Sequence, residues 1–172
     1  MVTKKHYTNE TFTKRVDHEG GEHRSHDVSI GTAHCVGCGA IYSDKRWVAR
    51  SDSKETAEHP HWRPGKKTTC PACRQIEQGV VGGFVELAGD FLTKHRDEIV
   101  HLIDNETRDA IQDNPLSRIM ARRDENGKLV IETTTEHLAQ RLGHAVEKAY
   151  DGKTVYDFSH ENKVARVYWT RN

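Results

Sequence analysis

Four cysteines stand as two Cys-x-x-Cys pairs, Cys35-Val-Gly-Cys38 and Cys70-Pro-Ala-Cys73, with 31 residues between them. Nothing else in the chain limits its folding as tightly. Two thiolates three positions apart fit one tight turn, and two such turns can close a tetrahedron of sulfurs around one ion at about 2.3 Å. Gly39 follows the first pair and can take the positive φ that closes a knuckle, and Pro71 stiffens the second. The spacing therefore predicts a zinc site made by Cys35, Cys38, Cys70 and Cys73. Four sulfurs leave no open position for a catalytic water, so the expected ion is structural. His34, His59 and His61 lie close in sequence and are read as solvated or as outer neighbours of the site.

A chain of 172 residues has room for a small metal module and one modest domain. Charged residues make up 30% and hydrophobic residues 34%, which permits only a limited core. No apolar run approaches the ~20 residues that cross a bilayer, so no membrane partner is expected. The first stretch, Met1 to Lys14, is polar and lacks the pattern of an export signal. A reducing, cytoplasmic setting follows as the expectation, and there paired cysteines favour metal over disulfides.

Residues 1–30 show no helical or strand periodicity, and Gly20-Gly21 interrupts them, so they read as a flexible polar arm. Residues 31–79 read as a zinc ribbon. Its strands are Ala40 to Ser43 and Lys45 to Trp47, and an exposed loop follows from Ser51 to Lys67. Residues 80–172 read as an α+β domain. Val80 to Leu87 alternates as a strand bent at Gly82-Gly83. Asp90 caps a helix whose apolar face is Phe91, His95, Ile99, Leu102 and Ile103, and a short helix spans Glu106 to Gln112 before Pro115. Ser117 to Arg123 and Lys128 to Thr134 flank Asn126-Gly127, the composition of a type I′ hairpin turn. Thr133 and Glu136 suggest a capping box for a helix with Leu138, Leu142, Ala145 and Ala149 on one face. Thr154 to Phe158 and Val164 to Trp169 close the chain as a hairpin. This order predicts a helix-layered antiparallel sheet of the split-βαβ, ferredoxin-like or a related type, attached to the four-cysteine ribbon.

Lys and Arg number 26, as do Asp and Glu, so a strongly basic nucleic-acid-binding domain is excluded by the sum but not by the distribution. From Ala40 to Arg74 eight basic residues face four acids, whereas Gln75 to Glu125 holds six against eleven. Arg46, Arg50, Arg63, Lys66 and Lys67 lie among Tyr42, Trp47 and Trp62, and aromatic rings among cations can stack on bases while the charges hold phosphates. Trp47 and Tyr42 are assigned to covering the metal site and Trp62 to the open surface. In the last strand, alternation puts Val167 and Trp169 under the helices and Arg166 with Tyr168 on the open side, where Arg166 is a secondary nucleic-acid contact. No phosphate-binding glycine loop, nucleophile elbow or zinc-deaminase pattern is present, so a non-catalytic role is expected.

Four stretches carry a resemblance: Cys35-x-x-Cys38-Gly39, Cys70-Pro71-x-Cys73-Arg74, Gly83-x-Val85-x-Leu87-x-Gly89-x-Phe91 and His137-Leu-Ala-x-Arg141-Leu-Gly143. From about residue 30 onward the chain resembles a family of short bacterial zinc-ribbon proteins. More distantly it is similar to the N-terminal part of the nonsense-mediated-decay-type adaptor of the large ribosomal subunit. That adaptor has more CxxC knuckles than the two here. The resemblance implies a zinc ribbon with an α+β module that engages RNA or the ribosome. Two other readings stand beside it. One is a thiol–zinc redox switch or stress-related chaperone, in which oxidation expels the ion. The other is an adaptor that docks a protein partner.

Overall fold

The computed structural model describes residues 33–43, 46–49, 66–159 and 164–172. The arm expected over residues 1–30 lies outside them, as do His59, His61, Arg50, Trp62 and Arg63. The described residues form two mixed sheets and four helices in an α+β arrangement.

The first sheet has the order β3-β2-β1-β4 and is built from four three-residue strands. They are β1 (Ala33–Cys35), β2 (Ile41–Ser43), β3 (Arg46–Val48) and β4 (Lys66–Thr68). Strand β1 pairs antiparallel with β2, β2 antiparallel with β3, and β4 parallel with β1. The segment expected as an exposed loop thus ends in a strand at Lys66. A helix that periodicity did not reveal follows at once: α1 (Pro71–Gln78) has Cys70 as its N-cap, Pro71 in its first turn and Gly79 at φ 67 as its C-cap. Proline inside the start and glycine past the end are the usual punctuation of a short helix.

The second sheet has the order β6-β7-β5-β9-β8. Its strands are β5 (Gly83–Ala88), β6 (Ile119–Glu125), β7 (Lys128–Thr133), β8 (Lys153–Ser159) and β9 (Val164–Thr170). Strand β7 lies antiparallel between β6 and β5, so β5 and β6 run parallel on either side of it, which is a split βαβ unit. The sheet is not antiparallel throughout as expected, because β9 runs parallel to β5. Alternation of hydrophobicity cannot report strand direction, which explains the miss. The turn at Asn126 (φ 51) and Gly127 (φ 77) joins β6 to β7 as the composition predicts.

Three helices accompany this sheet: α2 (Asp90–Lys94), α3 (Arg96–Asp113) and α4 (Glu136–Tyr150). Asp90 is not the cap, since Gly89 holds that position and makes no side-chain cap bond. The helix breaks at His95, and the piece expected at Glu106 to Gln112 is continuous with α3. Helix α4 is capped by Thr135, which accepts from the Leu138 N–H at 3.2 Å, and not by Thr133. Thr133 is fully buried, its hydroxyl donating to carbonyls of Gly83 and Thr135. The buried face of α4 is Leu138, Ala139, Leu142, Gly143 and Val146, whereas Ala149 is exposed. These side chains meet Val85 and Leu87 of β5, Leu129 and Ile131 of β7, and Val167 and Trp169 of β9 in one core.

Helix α4 lies close on the sheet because its contact seam is small. A Cβ on Gly143 would stand 2.5 Å from Val167 Cγ1, and Val167 is buried and cannot swing aside. Gly143→Ala is expected to destabilise the protein by about 1–3 kcal/mol, the usual cost of overpacking a filled core. Urea denaturation measures it, and an unchanged midpoint would show that the helix can lift without cost.

Candidate metal centre

Both cysteine pairs are held by backbone geometry that the local sequence demands. Cys35 ends β1, and the chain turns at Val36-Gly37 before Cys38. Gly39, at φ 76, donates its N–H to the Cys35 carbonyl at 2.9 Å, and the Cys35 N–H is bonded to the Ala40 carbonyl at 2.8 Å. This is the knuckle that the Gly39 position predicts. The second pair is built differently from a ribbon knuckle. Cys70 caps α1, its Sγ accepting from the Cys73 N–H at 3.4 Å, so the second pair occupies the first turn of a helix.

The two pairs converge. Cys35 Sγ lies 3.7 Å from Cys73 Sγ, and Cys38 Sγ lies 3.6 Å from Cys70 Sγ. All four sulfurs fall within 4.8 Å of one another. A tetrahedron with sulfur at about 2.3 Å from its centre has edges of about 3.8 Å. The donor set therefore fits a tetrahedral ion with soft ligands, and the four cysteines could hold a metal ion such as zinc. Cys35 and Cys70 are buried, Cys38 and Cys73 partly so.

Backbone N–H groups already favour a thiolate on one side of the cluster. Burial raises the Cys35 pKa, but N–H groups of Cys70 (3.2 Å from Sγ), Cys38 and Gly37 outweigh it and bring the value down to about 6. Burial pushes Cys70 well up, and the Cys38 charge adds to the effect. Burial likewise pushes Cys73 up to about 11. A metal must therefore displace protons from Cys70 and Cys73.

Around the sulfurs, Trp47 and Leu116 pack against Cys35, Ala40, Cys70 and Ala72. Trp47 thus packs on the cluster, and Tyr42 meets the Trp47 ring with centroids 5.4 Å apart. His34 is half-buried on β1 and does not belong to the four-sulfur group.

Arg118 was not legible as part of the site. Its Nη1 reaches to 3.9 Å from Cys73 Sγ across 45 residues of sequence, while its Nε is buried with no hydrogen-bond partner among the described residues. Thr134 holds it there: the Thr134 hydroxyl accepts from the Arg118 N–H at 2.8 Å and donates to the Leu116 carbonyl at 2.6 Å. The Gln75 amide, on α1, donates to the Thr134 carbonyl at 2.8 Å. No local pattern marks these residues, because the contact exists only once both sheets are assembled.

Of the expected nucleic-acid contacts, those among the described residues are spread over both edges of one sheet and a face of the other. Arg46 is exposed on β3 and Lys66 and Lys67 on β4, which are opposite edges of the first sheet. Arg166 is exposed on the uncovered face of the second sheet, over the Phe84 ring at 5.4 Å. No helix among the described residues is long and apolar enough to cross a membrane.

Two outcomes follow for the site. Arg118→Met is expected to weaken divalent-metal binding by about tenfold, the range for a group contacting a ligand, with the fold intact by circular dichroism. Metal affinity is expected to fall as the pH is lowered below the Cys73 value, because protons compete for the sulfurs, and calorimetry in two buffers should register proton release. An affinity indifferent to both changes would contradict this geometry. A scan of protein-family models gave no match to this chain, and searches of curated proteins and of solved structures gave none either.

Proposed function

We propose that this chain is a non-catalytic zinc protein in which Cys35, Cys38, Cys70 and Cys73 hold one structural ion, and that the module so fixed engages RNA. The convergence of four sulfurs within 4.8 Å carries the zinc assignment. Its donor chemistry supports it: four thiolates satisfy a tetrahedral ion completely and leave no position for substrate. The packing supports it too. Cys35, Ala40, Cys70 and Ala72 make too small a core to hold four three-residue strands, so sulfur–metal bonds would supply the stability.

Support for RNA is of two kinds. Lys66 and Lys67 are exposed on β4, whose Thr68 carbonyl accepts from the Val36 N–H of the first knuckle at 2.9 Å. Two cations thus project from a strand bonded directly to the metal turn. The resemblance to the ribosomal-subunit adaptor points the same way. The uncovered face of the second sheet is a poorer platform for phosphates. Lys128 pairs with Glu86 at 2.7 Å and Arg123 with Glu132, which neutralises much of its positive charge.

Elemental analysis of purified protein is expected to give one zinc per chain, and Cys70→Ser to abolish it. Iron in place of zinc, or a metal-free folded chain, would overturn the metal assignment. For RNA, filter binding with structured RNA and co-sedimentation with ribosomes at low salt are expected to show retention, reduced several-fold by Lys66→Ala with Lys67→Ala. Absence of retention at low salt would remove RNA as the partner and leave the zinc result standing.

A further inference from the structure

The two edges of the five-stranded sheet are unlike. An edge strand presents unpaired N–H and C=O groups, and stable monomers blunt such edges with charges, bulges or prolines. Strand β6 follows that rule: Arg122, Arg123, Asp124 and Glu125 are consecutive and exposed, and its pairing with β7 is irregular between Ile119 and Ala121. Strand β8 does not. It spans seven residues, Lys-Thr-Val-Tyr-Asp-Phe-Ser, with no proline, and pairs in unbroken register with β9. Val155 and Tyr156 are 45% and 39% exposed at the middle of this edge, and the neighbouring Tyr168 is 40% exposed. Among the described residues β8 has no strand partner other than β9.

We propose that β8 is the interface between two copies of this chain, paired antiparallel about a twofold axis at Val155. The sequence of the edge is self-complementary in that register alone. On the uncovered sheet face, Val155 would meet the second copy's Val155, and Lys153 would meet its Asp157, twice by symmetry. Lys153 and Asp157 form no ion pair among the described residues, so both charges are available for this pairing. Sliding the register to centre on Tyr156 would set Val155 against Asp157, and centring on Thr154 would set Lys153 against Val155. Neither is complementary.

The neighbouring strand extends the match. Val155 pairs with Tyr168 across β8 and β9, and Asp157 with Arg166. The dimer would therefore carry a continuous apolar row, Tyr168 and Val155 from each copy, bordered by opposite charges. Tyr156 points to the helix side, where its hydroxyl lies 2.8 Å from His144 Nδ1 and donates to Glu147 Oε2 at 2.9 Å. These bonds tie its ring to α4 of its own chain and leave the strand backbone available. Pairing would join the two five-stranded sheets into one, with the helices of both copies on the same side.

Light scattering and sedimentation of the full chain test the proposal with charge reversal. The wild type is expected at twice the 19.6 kDa chain mass. Lys153→Asp places acid against acid and Asp157→Lys places base against base, so each variant alone is expected to weaken self-association on the order of tenfold. Mixing the two variants restores opposite charges at both pairs and is expected to restore the dimer. Both positions are exposed, and unchanged circular dichroism of each variant would confirm that folding is intact. A monomeric wild type would overturn the proposal, as would a dimer indifferent to either reversal or a mixture that fails to recover.

Discussion

Sulfur proximity is the constraint on which the first half of the fold depends. Residues 33–43, 46–48 and 66–78 make strands of three residues and one helix of eight, elements too short to persist by themselves. Their buried apolar residues are Ala33 and a core of Cys35, Ala40, Cys70 and Ala72, with Trp47 and Leu116 leaning on that core. Half of that core consists of the thiols themselves. The zinc we propose would convert four mutually repelling, partly protonated sulfurs into one bonded centre. The knuckle at Gly39 and the capped start of α1 would then be the two turns that centre joins.

The site is coupled to the second sheet through polar contacts. Thr133, Thr134 and Ser117 are the buried polar residues among those described, and all three lie where the chain enters β6 and leaves β7. Thr134 receives Gln75 from the metal side and positions Arg118 toward Cys73. Four thiolates around a divalent ion would carry an excess of two negative charges, and a guanidinium at that distance would offset part of it. Buried polar groups of this kind are costly when unsatisfied, so they fix the docking of the two parts more sharply than apolar contact would.

What was legible in the sequence was what local chemistry determines. The doubled CxxC spacing located the four sulfurs, Gly39 and Asn126-Gly127 located backbone at positive φ, and two-residue alternation oriented Val167 and Trp169 inward. What escaped were features decided at a distance. Helix α1 is too short for periodicity to register, and the parallel pairing of β5 with β9 depends on chain topology. The cap of α4 moved from Thr133 to Thr135 because Thr133 was taken into the core. Arg118 and Thr134 acquire their roles only from residues some 45 and 59 positions away.

The central claim is that one ion binds two thiol turns, and X-ray absorption at the zinc edge of the purified protein tests it most directly. The expected spectrum is that of zinc with four sulfur neighbours at about 2.3 Å and no nitrogen or oxygen ligand. Fewer than four sulfurs, or light-atom ligands in their place, would contradict the account.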